Sequence, residues 1–121
     1  MKQCILVIDD DAAVRDSLSA LLECAGYSVQ SFCSGAQFFD AAPRSECQCL
    51  IVDMHMPSMS GLQVAERLKL ENRNISIILI TGNPNAALKL QAEKYDIAII
   101  LEKPFRHDAL LDAVSNCQTY R

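Results

Sequence analysis

The chain holds only four glycines, and no cluster of them follows the first apolar run. A backbone cradle for the phosphates of a nucleotide or flavin is therefore unsupported, because such cradles use glycine to bring amide groups close to the ligand. No apolar run approaches the ~20 residues that a membrane helix needs. The stretch from Met1 meets Asp9 too soon to hold a secretory core, so no targeting signal is seen and a cytoplasmic location is expected. Internal repeats, low-complexity tracts and linker-like stretches are also missing, and residues 1–121 are expected to form one domain. Basic character is lacking too. The net charge is −4 and the sequence pI about 5.0, which argues against direct nucleic-acid contact by this domain. The six cysteines, at 4, 24, 33, 47, 49 and 117, form no pair of CxxC motifs, and Cys47-Gln-Cys49 alone is a poor zinc signature. Most lie in apolar segments and are expected to be reduced thiols acting as small hydrophobes.

What is present is an alternation. Five short apolar runs rich in Ile, Val and Leu span Cys4–Ile8, Ser28–Phe32, Cys49–Val52, Ser76–Ile80 and Ile97–Leu101. Each has the composition of a strand buried on both faces. Between them lie helical patterns. Val14, Leu18, Leu21, Leu22 and Ala25 make one apolar stripe, which Gly26 ends. Ser34-Gly-Ala-Gln37 and Ser60-Gly-Leu-Gln63 are capping-box patterns opening the second and third helices. The third helix turns Leu62, Ala65 and Leu68 or Leu70 inward. Asn83-Pro84 fits a helix cap followed by Pro at the first helical position. The last helix, from about Arg106, carries Leu110, Leu111 and Val114 inward. Successive β-α units predict an α/β fold, a doubly wound sandwich on a parallel sheet. In such sheets the functional crevice lies at the carboxyl ends of the strands.

Chemistry gathers at those ends. The first run is followed by Asp9-Asp10-Asp11, the third by Asp53, the fourth by Thr81 and the fifth by Lys103-Pro104. Each feature alone has an ordinary reading as a turn former, a helix cap or a surface lysine. Together they put carboxylates, a hydroxyl and an ammonium on one edge of the sheet. Carboxylates ~4 Å apart repel by ~4 kcal/mol at an effective dielectric near 20, and a hard divalent cation relieves this. A carboxylate nucleophile with cationic partners and a hydroxyl donor has the parts for phosphoryl transfer.

The ordered motifs are Leu-Val-Ile-Asp9-Asp10-Asp11, Val-Asp53-Met-His-Met-Pro57-Ser-Met-Ser-Gly61, Ile-Thr81-Gly82 and Glu-Lys103-Pro104-Phe105. As a set they resemble the receiver domains of bacterial two-component response regulators, most closely the FixJ-type subgroup. The resemblance spans Ile5 to about Cys117. It implies a flavodoxin-like, chemotaxis-regulator-like (βα)5 fold with strand order 2-1-3-4-5. Asp53 would be the phosphoacceptor. Mg²⁺, or Mn²⁺, would be held by Asp10 and Asp53, by Asp9 mainly through water, and by the main-chain carbonyl of His55. Thr81 and Lys103 would serve the phosphoryl group, and the Lys103–Pro104 bond would be cis. The implied partners are a sensor histidine kinase, a second copy joined through the fourth helix, fifth strand and fifth helix, and a DNA-binding output domain if the chain is part of a longer regulator. Charged residues on that implied output face are Lys89, Glu93, Lys94, Asp108 and Asp112. Such a domain is a phosphoprotein switch that catalyses only its own phosphorylation and dephosphorylation.

Three departures from the family pattern stand out. Ile100 occupies the position of a switch aromatic, leaving Thr81 as the half of the switch pair that matches. Tyr95-Asp96-Ile97 replaces a turn that usually carries Gly or Ala, with Tyr95 an offset candidate for the missing ring. His55 stands two residues after Asp53 and, with Asn83, flanks the implied route of the attacking water, where it would tune acyl-phosphate lifetime with pH. Competing readings are an Asp-nucleophile hydrolase, a nucleotide or flavin binder, and an unphosphorylated interaction module. The first conventionally places its nucleophile after the first strand, and the second needs the glycines that are absent. The third is opposed by the complete acidic, Thr and Lys set and favoured by Ile100.

Overall fold

The runs of Ile, Val and Leu do form strands, and the structure, a computed structural model, describes residues 3–41 and 47–118. In chain order the elements are β1 (Cys4–Ile8), α1 (Ala12–Cys24), β2 (Ser28–Phe32), α2 (Gly35–Ala41), β3 (Cys49–Asp53), α3 (Gly61–Leu70), β4 (Ser76–Thr81), α4 (Ala86–Lys94), β5 (Ile99–Glu102) and α5 (His107–Gln118). The five strands are parallel in the order β2-β1-β3-β4-β5. β2, the strand without chemistry at its end, lies at one edge.

Side chains alternate across each strand, so the sheet divides the core in two. Leu6, Ile8, Leu50, Val52, Ile77 and Leu79 face Phe38 of α2, Leu62, Val64, Ala65 and Leu68 of α3, and Leu88 of α4. Ile5, Val7, Ile51, Ile78 and Ile80 face Leu18 and Leu22 of α1 and Leu110, Ala113 and Val114 of α5. Every residue of β1 and β3 is buried, which fixes the two strands that end in carboxylates.

Local chemistry sets the helix ends. Ser60 and Gln63 close the capping box of α3 in both directions. Ser34 Oγ likewise accepts from Gln37 N, but the Gln37 side chain reaches back to Cys33 N rather than to Ser34. α4 is capped by Asn85, whose side chain accepts from Leu88 N at 2.8 Å. That corrects the cap expected at Asn83: Pro84 precedes the cap, and the helix begins at Ala86. Leu68 is the inward residue of its pair, while Leu70 is 78% exposed. Ala25, expected inward, is the exposed cap residue of α1, and Gly26 follows it at φ +100°. β5 starts at Ile99, two residues later than expected, because Asp96 takes φ +59° in the turn before it.

The cysteines bring another correction. Cys4 and Cys47, expected as reduced thiols, are joined in a disulfide across 43 residues of sequence, with Cα atoms 4.7 Å apart. Cys4 opens β1 and Cys47 stands just before β3, and these strands are neighbours in the sheet. Strand pairing, which sequence spacing does not reveal, makes the contact.

Candidate functional site

β1 delivers Asp9 and Asp10 to the carboxyl edge of the sheet. Asp9 N donates to Phe32 O of the neighbouring strand, and Arg15 Nη1 reaches back from α1 to the Asp9 carbonyl at 2.8 Å. Asp9 Oδ1 accepts from Asp11 N at 2.9 Å. Asp11 itself turns away to cap α1, accepting from Ala13 N at 2.9 Å. Three consecutive aspartates thus take separate roles: Asp9 is buried and pinned, Asp10 is exposed at the rim, and Asp11 is a helix cap. Neither the Arg15 tether nor the division of roles is readable from spacing.

Asp53 ends β3, only 6% exposed. The loop behind it is held by Met54 N donating to Ile80 O at 2.8 Å and Gly61 N donating to Met54 O at 3.0 Å. Gly61 is where α3 starts against this loop. A Cβ there would stand 2.7 Å from the Asp53 carbonyl oxygen and 2.5 Å from Leu79 Cδ1, so close packing requires glycine. His55, in the loop, is exposed.

β4 and β5 complete the edge. Thr81 is fully buried and its Oγ1 accepts from Asn83 N at 3.1 Å, which leaves the hydroxyl hydrogen free to donate elsewhere. Lys103 N donates to Thr81 O at 2.8 Å, and the Lys103–Pro104 peptide is cis. The Lys103 ammonium lies 3.2 Å from Asp53 Oδ1. That ion pair lacks hydrogen-bond alignment, and Oδ1 is a buried oxygen with no hydrogen-bond donor.

Asp9, Asp10 and Asp53 each present a carboxylate oxygen, all within 4.8 Å of one another. At an effective dielectric near 20 each such pair repels by roughly 3–4 kcal/mol. The Asp9 carboxyl is pushed above the ordinary aspartate range, first by burial and then by the charges of Asp53 and Asp10, against the opposing pull of the Asp11 amide and Lys103. The crowded carboxylates and the orphaned Oδ1 suit a hard divalent cation, which would satisfy both. The remaining switch candidates lie farther back. Ile100 is half-buried, packed with Tyr95 and Ile97 against the α3/α4 side of the core, and Tyr95 caps α4 with its ring 5.5 Å from Lys94 Nζ.

A doubly wound sheet of this order, with acid, hydroxyl and ammonium at its carboxyl edge, matches the response regulator receiver domain family over residues 5–115. The chain belongs to that family. Its members are regulatory signalling proteins of two-component systems that work with histidine kinases, rather than metabolic enzymes. Among curated relatives it is 40% identical over 106 residues to the transcriptional regulatory protein FixJ of Bradyrhizobium diazoefficiens, covering 88% of this chain and 52% of FixJ. It is 41% identical over 110 residues to the response regulator protein TodT of Pseudomonas putida, covering 91% of this chain and 48% of TodT. The chain therefore spans about half the length of the curated relatives it matches. Among solved structures, FixJ-N superposes with a TM-score of 0.87 at 28% identity, covering 100% of this chain and 97% of that one. Among the described residues, no helix is long and apolar enough to cross a membrane.

Proposed function

We propose that Asp53 is the phosphoacceptor and that phosphorylation there switches the domain. The observation that carries this reading is the state of Asp53: buried, within 4.8 Å of two other carboxylates, 3.2 Å from an ammonium, and with one oxygen lacking a hydrogen-bond donor. A merely structural aspartate at such depth would have its oxygens satisfied.

Mg²⁺ or Mn²⁺ is the proposed cofactor, held by Asp10 and Asp53, by Asp9 mainly through water, and by the His55 carbonyl. When bound, it neutralises charge on the phosphoryl oxygens. The chain's own residues do the rest. An Asp53 oxygen attacks phosphorus in line as the bond to the kinase histidine nitrogen breaks and the imidazole keeps the electron pair. Lys103 holds a phosphoryl oxygen electrostatically, and the free Thr81 hydroxyl hydrogen donates to another. Turning Thr81 toward that oxygen biases a two-state element, with Ile100 following as an aliphatic rather than aromatic partner. His55 and Asn83, both exposed beside the crevice, are proposed to tune the lifetime of the acyl phosphate.

The proposed setting is cytoplasmic, with a sensor histidine kinase as donor. FixJ, a transcriptional regulatory protein about twice as long as the matched segment, makes a DNA-binding output domain the proposed recipient of the signal. The proposed dimer face, α4-β5-α5, carries exposed Lys89, Glu93, Lys94, Asp108 and Asp112, of which Asp108 already pairs with Arg106 at 3.1 Å.

Intact mass after treatment with acetyl phosphate and Mg²⁺ tests the reading. The chain gains one phosphoryl group, and Asp53→Asn gains none. Uptake by Asp53→Asn at the parent level would move the acceptor elsewhere.

A further inference from the structure

At the opposite end of the sheet, four of the six cysteines meet as two sulfur pairs. The disulfide of Cys4 and Cys47 lies on the α2/α3/α4 face. Cys49 and Cys117 lie on the α1/α5 face with sulfurs 3.1 Å apart and remain thiols. Cys24 and Cys33 are exposed and far simpler: each is free.

We infer that Cys4 and Cys47 form a reversible redox clamp, closed by a small peroxide and opened by dithiol reductants, that ties the start of β1 to the segment leading into β3. The two pairs differ in access. Cys4 is 7% exposed and its partner Cys47 1%, whereas Cys49 and Cys117 are both 0% exposed. As the most exposed of the four, Cys4 is reached by an oxidant of peroxide size before the fully buried α1/α5 pair. A reducing compartment keeps such a bond open until oxidant appears.

The chemistry balances with hydrogen peroxide as oxidant. The Cys4 thiolate attacks one peroxide oxygen and the O–O bond breaks. Hydroxide leaves and takes a proton to become water, while Cys4 is left as a sulfenic acid. Cys47 sulfur then attacks Cys4 sulfur, the S–O bond breaks, and a second water leaves. Two thiols have lost two electrons, and the peroxide has gained them. A dithiol reductant reverses the step through a mixed disulfide.

The bond closes a loop that contains β1, α1, β2 and α2, two of the five strands. Closing a loop of this length removes freedom mainly from the unfolded chain. The clamp therefore acts on the stability of the fold, and it sits at the far end of β1 and β3 from Asp9, Asp10 and Asp53.

The test uses the 121-residue chain with Cys24→Ser and Cys33→Ser, which removes the exposed thiols. It is reduced, exposed to hydrogen peroxide, alkylated and mapped by fragment ions without reductant. The expected product is a Cys4–Cys47 link with Cys49 and Cys117 alkylated after unfolding. The melting temperature rises on the order of 10 °C and returns on adding a dithiol. Adding Cys47→Ser abolishes that rise. Three results overturn the clamp: a Cys49–Cys117 link forming first, a Cys4–Cys47 link that the folded chain keeps in dithiol, or a link without a change in melting temperature. The parent chain, melted with and without dithiol, decides the matter should a serine variant fail to fold.

Discussion

The two ends of the sheet are built on opposite terms. At the amino end, sulfur pairs with sulfur, and a covalent bond joins the start of β1 to the approach to β3. At the carboxyl end, the same two strands finish in carboxylates that repel one another, and one buried oxygen has no donor. Between them the strand residues are uniformly apolar and buried. The fold thus concentrates its cohesion in the middle and at one end, and leaves the other end short of partners. A buried unsatisfied group is costly, and its survival points to a ligand that completes it. Changes at the carboxyl end should accordingly move chemistry more than stability, and changes at the amino end the reverse.

Lys103→Met gives the largest expected effect. It keeps the aliphatic stem and removes the ammonium 3.2 Å from Asp53 Oδ1. Phosphoryl uptake from a small donor should slow by about 10²-fold, the usual cost of losing one preorganised charge partner. Melting should fall only modestly beside that loss: the Lys103 side chain is 40% exposed, but its partner Asp53 is buried at 7% and is left without its ammonium. A large fall in melting temperature with unchanged uptake would break the contrast between the two ends.

Gly61→Ala comes next, and it sharpens the comparison because it strikes the one place where the carboxyl end is tightly packed. The added methyl meets backbone at Asp53 O, 2.7 Å away, which has little room to give. Overpacking of this kind costs about 2 kcal/mol, visible as a lower midpoint in urea. Because the displaced atom belongs to Asp53, phosphoryl uptake should fall as well. An unchanged midpoint would show that the loop behind Asp53 yields easily.

How much of this was legible beforehand follows the same division. Strand identity and the order of chemistry along the edge were readable, because a two-sided parallel strand is a plain apolar run and its end is marked by the first polar or charged residues. Asp9, Asp10, Asp53, Thr81 and Lys103 could be nominated on that ground, and the structure brings Asp9, Asp10 and Asp53 together with Lys103 beside Asp53. The cap of α4 was misplaced from Asn85 to Asn83 because both asparagines flank Pro84, and only the hydrogen bond to Leu88 N decides between them. The Cys4–Cys47 bond was missed because it depends on which strands are neighbours, a tertiary fact that no local spacing encodes. Arg15 gripping the Asp9 carbonyl was invisible for the same reason.

The smallest expected effect has the opposite sign. Asp9→Asn should stabilise the metal-free chain at neutral pH. Asparagine can keep the oxygen that accepts from Asp11 N, so the local turn is preserved. What disappears is a buried negative charge crowded by Asp53 and Asp10. Because burial and those charges raise the folded-state pKa of Asp9 above its ordinary 3.8, the protonated side chain favours the fold. That contribution is complete below the unfolded value and is lost as pH rises through the folded one. The advantage of asparagine should therefore be absent in strong acid and grow as pH rises through the titration of Asp9, read as a melting temperature above that of the parent. Saturating Mg²⁺ should narrow the gap, since a ligand bound only by the folded parent stabilises it by mass action. If chelator-treated Asp9→Asn melts below the parent at pH 7, the carboxylate cluster is satisfied without a cation, and the carboxyl end is not the unfinished half of the molecule.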